Sequence, residues 1–318
     1  MPTIDTAPTL RSITTAEGIA DVVRRRYDMD VNACVLVRSF VNDVYEIRTP
    51  RQRFVLKLYR HNGWSVDEVG WEAELVEHLF ANGIPVSPVV PMTSGRAVGQ
   101  LAAPEGVRPF LLSEYVEGRK PQEPFDDDLY RSYGRLIGRL QEAGDTFRTD
   151  RYRRPFGLEA ILDEPLARVL PALTQQPADK RLAESLGVAA RQRLTELADQ
   201  LDWGVRHGDV TLDNVHRTDA GLVIHDFDLA HVGWRVADLT GCLATPFADV
   251  FLTGYTEIRA VGTADREALP WLRVVECIRH LAFHLTDKPE WRGTESLGEG
   301  WVDKGLADLR GAAQRLVS

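Results

Sequence analysis

Two stretches carry most of the chemistry this chain can do: HGDVTLDNV at residues 207–215 and IHDFDLA at residues 224–230. They contain Asp209, Asn214 and Asp226. An Asp followed five residues later by an Asn is the spacing of phosphoryl-transfer catalytic loops, where the Asp takes a hydroxyl proton and the Asn binds magnesium. Between Asn214 and Asp226 lie Val215, His216 and Arg217, the turn-forming cluster 218–221 and the aliphatic run 222–224. This is the pattern of a hairpin whose turn falls midway, and its antiparallel return would bring Asn214 and Asp226 to the same end. Magnesium needs few protein oxygens and fills its octahedron with water and phosphate, so one amide oxygen and one carboxylate suffice. Asp209 would then be left to accept a proton. A lone HGD or DFD is ordinarily turn chemistry. The fixed letters HGDxxxxN, however, recur by chance in only on the order of one in a thousand chains of this length, and the matched hairpin makes coincidence rarer.

The elements that must position these groups can be read outward from them. A helix is expected over residues 15–27, capped by Thr14 or Thr15. ACVLVRSF, DVYEIRT and RQRFVLKLYR follow as short β-branched and aromatic runs of an antiparallel sheet. Residues 65–80 have helical spacing and end at Asn82-Gly83, and VSPVVP and PFLLSEYVEG read as further strands. From Asp126 the pattern turns helical: the Asp triplet 126–128 caps a helix through Leu140, with more helices near 181–200, 269–285 and 302–317. A β-rich domain over 1–117 is thus expected to join a mainly helical domain over 118–318, the boundary falling near Gly118. In FVLKLYR, Phe54, Leu56 and Leu58 alternate with Val55, Lys57 and Tyr59, placing one ammonium on an otherwise apolar strand. Glu72 and Glu74 on the next helix can each offer it a carboxylate, so an ion pair is expected.

Composition excludes several classes. With 318 residues and 44% hydrophobic content the chain buries a large core. A net charge of −9 and the short clusters Arg24–Arg26 and Arg151, Arg153 and Arg154 argue against nucleic acid, and the clusters read as solvated faces. No apolar run approaches a membrane span and MPTIDTAPTL lacks a signal pattern, so a cytoplasmic protein is expected. Cys34, Cys242 and Cys277 are far apart and read as buried free thiols, with neither disulfides nor zinc suggested. His216, His225 and His231 read as packing or surface residues, His207 as a brace for the loop, and Asp238 as structural. Trp291 and Trp301 are expected to pack into the core of the helical part; oligomeric state is not legible.

HGDVTLDN, IHDFD, FVLKLYR and WEAELVEHLFANGIPV resemble the aminoglycoside phosphotransferase and choline kinase group, relatives of eukaryotic protein kinases, from about Phe40 to Leu239. The resemblance implies an α+β, bilobal protein-kinase-like fold, with an antiparallel-sheet N-lobe and a mainly helical C-lobe. It also implies Asp209 as base, Asn214 and Asp226 as Mg2+ ligands, Lys57 as the anchor of the α- and β-phosphates of ATP (or GTP), and Glu72 rather than Glu74 as its partner. LLSEYVEG looks like the interlobe hinge, whose main chain at Glu114, Tyr115 and Val116 would hold the adenine edge. Two departures stand out. RSFVNDVY has no glycine where protein kinases have GxGxxG, making Ser39 and Asn42 the candidates for phosphate contacts, and Thr211 stands where many relatives have His. The expected activity is transfer of the γ-phosphoryl group to a hydroxyl of a small molecule such as an antibiotic, sugar or amino alcohol. RFVLKLYRHNGWSVDEV also resembles bacterial stress-response Ser/Thr kinases, and a nucleotide-binding pseudokinase is the third reading.

Overall fold

A computed structural model of the chain describes residues 7–316. The first six residues, part of the stretch read above for a signal pattern, and residue 317, the end of the last expected helix, lie outside the described residues. The strands are β1 (Ala33–Ser39), β2 (Asp43–Arg48), β3 (Arg53–Leu58), β4 (Gly99–Ala103), β5 (Gly106–Glu114), β6 (Trp203–Arg206), β7 (Val215–Thr218), β8 (Gly221–Ile224) and β9 (His231–Trp234). The helices are α1 (Ala16–Tyr27), α2 (Val66–Ala81), α3 (Asp127–Gly144), α4 (Glu164–Ala172), α5 (Pro177–Leu197), α6 (Ala248–Thr256), α7 (Thr263–Ala282), α8 (Lys288–Arg292) and α9 (Trp301–Arg315). They divide into two compact units. One comprises residues up to 119 with 147–153 and 215–228; the other holds 120–146, 154–214 and 229 onward.

The first unit is built on an antiparallel sheet in the order β1-β2-β3-β5-β4. Strict alternation assigns its two faces. Phe54, Leu56, Leu58, Phe110 and Leu112 pack with Ile19 and Val23 of α1, whereas Leu111 packs with Val69 and Ala73 of α2. Lys57 lies opposite Leu111 in the β3–β5 register, on the α2 face. Thr15 caps α1 by accepting from the Gly18 amide, and Ser65 with Glu68 forms a capping box that starts α2.

Beneath the sheet, Arg108 and Asp43 are both 0% exposed and paired at 2.7 Å, with the Arg108 Nε donating to the Tyr59 carbonyl at 2.9 Å. Burial alone would raise the Asp43 carboxyl, but hydrogen bonds from Ser39, Arg108 and Arg11 outweigh it and hold it below its ordinary value. Its contribution to stability is therefore complete above the unfolded value of about 3.9 and is lost as pH falls toward the lower folded value. Arg108→Ala would remove the buried partner of that carboxylate and leave Arg11 and Ser39 to hold it, and we expect denaturant titration to show a loss of ~1.5–3 kcal/mol, the worth of a hydrogen bond to a charged group.

In the second unit α3 packs on α6 and α7 on α5 and α9. A Cβ on Gly254 would lie 2.0 Å from the Arg131 carbonyl and one on Gly134 2.1 Å from that of Phe251, so the α3 and α6 backbones touch at this crossing. β6 and β9 form a short antiparallel ladder next to the catalytic-loop sequence.

Several expectations need correction. VSPVVP is not a strand: it makes only isolated bridges, Val86 to Ile224 and Val89 to Ser113, because Pro85, Pro88 and Pro91 lack the amide donors a ladder needs. β4 lies in GQLAA, which has no β-branched residue, and α4 and α6 were likewise not anticipated. α7 begins at Thr263 and carries Pro270 inside it. Trp301 remains 43% exposed and stacks on His284 at 5.4 Å instead of entering the core. Cys242 and Cys277 are buried, but Cys34 is only partly so. Among the described residues no helix is long and apolar enough to cross a membrane.

Candidate active site

Within the first unit a cavity of about 390 Å³ opens on the α2 face of the sheet. Val44, Val55 and Leu111 give it apolar walls, Glu114, Tyr115 and Val116 one rim, and Lys57, Glu72 and Asp226 a charged end. Along the rim the amides of Glu114 and Tyr115 donate to the carbonyls of Pro88 and Arg53, whereas the Val116 amide has no partner among the described residues. The β7–β8 hairpin pairs Val215 with Ile224. It brings His216 and His225 to the cavity lining, their rings 4.8 Å apart and nearly perpendicular. These are two of the histidines read above as packing or surface residues.

Ser39 and Asn42, the expected phosphate contacts, do not line the cavity. A β-bulge between Leu36 and Arg38 breaks the alternation of β1, and Val37 and Arg38 line it instead. The Ser39 hydroxyl donates to Asp43 at 2.7 Å. The Asn42 amide bridges the Asp228 carboxylate at 2.8 Å and the Arg60 amide at 3.2 Å, so it holds the segment after β8 in place.

The charged end also departs from expectation. Lys57 donates to Asp226 and lies 3.4 Å from Asp228, and among the described residues it makes no ion pair with Glu72. Burial pulls the Lys57 ammonium down, but the charges of Asp226, Asp228 and Glu72 prevail and hold it well above the usual lysine range. Glu72 instead accepts from the Tyr59 hydroxyl at 2.7 Å, with Arg153 at 3.9 Å. Glu74 binds Thr149 and Arg151. Arg153, read above as part of a solvated cluster, is instead buried at this end. It is 5% exposed, its guanidinium lies 4.0 Å over the Trp64 ring, and it donates to the carbonyls of Glu68 and Asp228. It ties α2 to the segment bearing Asp226. That segment is strained, with Asp226 at φ 68°, a conformation that costs a non-glycine residue ~1–3 kcal/mol and concentrates at functional sites.

In the second unit the catalytic-loop sequence is held from below by one buried carboxylate. Asp238 accepts from the Arg206 guanidinium at 3.0 Å and from the amides of His207 at 2.8 Å and Gly208 at 3.0 Å. The Asn214 side-chain amide donates to the Asp209 carboxylate at 2.8 Å and to its carbonyl at 3.0 Å, fixing the carboxylate orientation. His207 accepts from the Asp209 amide at 3.3 Å, and Tyr133 donates to the Thr211 carbonyl at 3.0 Å. Gly208 has φ 84°, and a Cβ there would lie 2.1 Å from the Leu229 carbonyl. Gly208→Ala must therefore move the loop. We expect kcat to fall ~10²-fold, the scale of a catalytic group misplaced by about 1 Å, while the melting temperature changes by only a few degrees.

The phosphotransferase enzyme family model matches residues 34–272, most of the chain. The chain belongs to that family. It is a kinase by class, with an α+β protein-kinase-like fold. An uncharacterized protein of Deinococcus radiodurans is 32% identical over 313 residues, 94% of this phosphotransferase and 90% of its own length. The serine/threonine protein kinase RdoA of Salmonella typhimurium is 26% identical over 84% of this chain and 81% of its own. The microcompartment-associated aminopropanol kinase superposes with a TM-score of 0.77 at 20% identity, covering 92% of this chain and 94% of that one. In the phosphotransferase, Asp209 lines a further cavity, of about 360 Å³, within the helical unit.

Proposed function

We propose that this phosphotransferase moves the γ-phosphoryl group of ATP to the hydroxyl of a small molecule. One observation carries the reading: Asp209 lines a cavity of about 360 Å³ in the helical unit, a volume suited to a small ligand. The nucleotide would occupy the 390 Å³ cavity, its adenine edge on the main chain of Glu114 to Val116 and its phosphates near Lys57. The Val116 amide offers the donor such an edge requires.

The residues fit a magnesium ion. Asn214 uses its NH2 group on Asp209 and leaves its Oδ1 as a hard oxygen donor, and Asp226 already holds a cation, the Lys57 ammonium. Each offers an oxygen of the kind magnesium prefers, and in this reading both would serve the ion. When bound, the metal supplies charge neutralisation at the phosphoryl group. Lys57 adds its own charge there, and Asp209, oriented by Asn214, takes the acceptor proton. The acceptor O–P bond forms, the bond from Pγ to the β,γ-bridging oxygen breaks, and ADP leaves with that oxygen.

Action on protein Ser or Thr is the second reading, supported by the similarity to RdoA. Labelled ATP incubated with the protein alone, with peptides, and with hydroxylated antibiotics, sugars, amino alcohols and amino acids separates the two. Label on an added compound supports the first, label on Ser or Thr the second, and no label on either contradicts both.

A further inference from the structure

The charges of three carboxylates, Asp226, Asp228 and Glu72, act on one ammonium, that of Lys57. Lys57 donates to Asp226 and forms a second ion pair with the Asp228 Oδ2 at 3.4 Å. The reading above gives Asp226 to magnesium. Lys57 then needs another partner, because an ammonium left without a counter-charge at 15% side-chain exposure is strongly destabilising.

The two remaining acids are not equally placed for that task. Glu72 is 4% exposed, its Oε1 accepts from the Tyr59 hydroxyl at 2.7 Å, and its Oε2 faces the Arg153 guanidinium at 3.9 Å with no hydrogen-bond partner among the described residues. A tyrosine and an arginine thus hold it, and it makes no ion pair with Lys57 among the described residues. Asp228 is held within reach. The Asn42 side-chain amide donates to the Asp228 Oδ2 at 2.8 Å, the same oxygen that lies 3.4 Å from Lys57, and the Asn42 Oδ1 accepts from the Arg60 amide at 3.2 Å. Asn42 is 6% exposed, and Arg60 lies just beyond the strand that carries Lys57, so the carboxylate is braced from the ammonium's own strand. Arg153 donates to the Asp228 carbonyl and fixes the main chain there. One carboxylate oxygen therefore stands between a neutral amide and the ammonium.

Resting on the phosphotransfer reading above, we infer that Asp228 is a positioning residue, the standing partner that keeps Lys57 in place when Asp226 serves a metal ion, the task expected of Glu72. Asn42 fixes it by holding the oxygen that Lys57 shares. With the ammonium divided between two acids, Asp226 can release it without leaving a buried charge alone. A neutral side chain at position 228 would leave the ammonium wholly on Asp226, and magnesium would have to compete with it there.

Calorimetric titration of the full chain with a nonhydrolysable ATP analogue, over a series of Mg2+ concentrations, tests this. Asp228→Asn keeps the shape and can still accept from Asn42. The Mg2+ concentration that gives half of the metal effect should rise roughly ten-fold or more, the worth of one charge-assisted contact. In a Lys57→Met background, where there is no ammonium to hold, the same substitution should change it less than about three-fold, a coupling that a merely structural role would not produce. Should Lys57→Met not fold, Lys57→Gln takes its place in the cycle. Should Asp228→Asn not fold, Asn42→Ala, which releases Asp228 without removing its charge, should raise the concentration several-fold with Lys57 present and not without it. The inference is overturned if D228N leaves the concentration unchanged, if the rise is equal without the ammonium, which would make Asp228 a metal ligand, or if Glu72→Gln gives the Lys57-dependent rise instead. The titration involves neither acceptor nor turnover, which keeps the two claims apart. A Lys57-dependent rise with no phosphorylation of any compound contradicts the transfer reading alone, a magnesium effect indifferent to Asp228 overturns this inference alone, and no magnesium effect in the natural chain overturns both.

Discussion

Asp209→Asn should lower kcat by ~10²–10⁴-fold, the range contributed by a positioned general base, while the dissociation constant for nucleotide stays within about three-fold. The substitution isolates the proton. Asn keeps the shape of Asp and can still accept the 2.8 Å bond from the Asn214 amide, so the loop braced by Asp238 has no reason to move. What is lost is the carboxylate that takes the hydroxyl proton. Steady-state ADP release gives kcat, and calorimetry with a nonhydrolysable ATP analogue gives the affinity. Full activity in the variant would remove Asp209 from the mechanism.

The second large effect is expected at Asp226. Asn tolerates the left-handed conformation at φ 68°, so Asp226→Asn removes charge with little change in shape. Lys57 keeps Asp228 at 3.4 Å and stays paired, so the fold should survive. Charge-assisted contacts of this kind are worth ~1.5–3 kcal/mol, about 10- to 150-fold in affinity. Titrating nucleotide with and without Mg2+ should show a large metal effect in the natural chain and converging curves in the variant. An undiminished metal effect would take Asp226 out of the ligand set.

What the letters alone reveal follows how local each signal is. The alternation in FVLKLYR separates Lys57 from Phe54, Leu56 and Leu58 because strand periodicity needs no tertiary knowledge, and the structure places α2 on the Lys57 side. The turn at 218–221 gave the β7–β8 hairpin for the same reason. Ser39 was misplaced because a bulge interrupts β1, and nothing in VLVRSF announces one. Arg153 was read with its neighbours as a solvated cluster. Arg151 and Arg154 do pair with exposed acids, but Arg153 is buried by Trp64 and Trp71, almost ninety residues away in sequence. A basic residue between two others carries no mark of that. The pairing of Lys57 with Glu72 failed for a related reason: three carboxylates compete for one ammonium, and Tyr59 already satisfies one Glu72 oxygen.

The most direct test of the account is phosphorus NMR of the complete reaction with ATP, Mg2+ and the hydroxylated compounds, run with the natural chain and with Asp209→Asn. The account predicts ADP and one new phosphomonoester on a small molecule in equal amounts with the natural chain, and neither above background with the variant. ADP accompanied only by inorganic phosphate, phosphate found only on protein, or an ester formed equally well without the Asp209 carboxylate would contradict it.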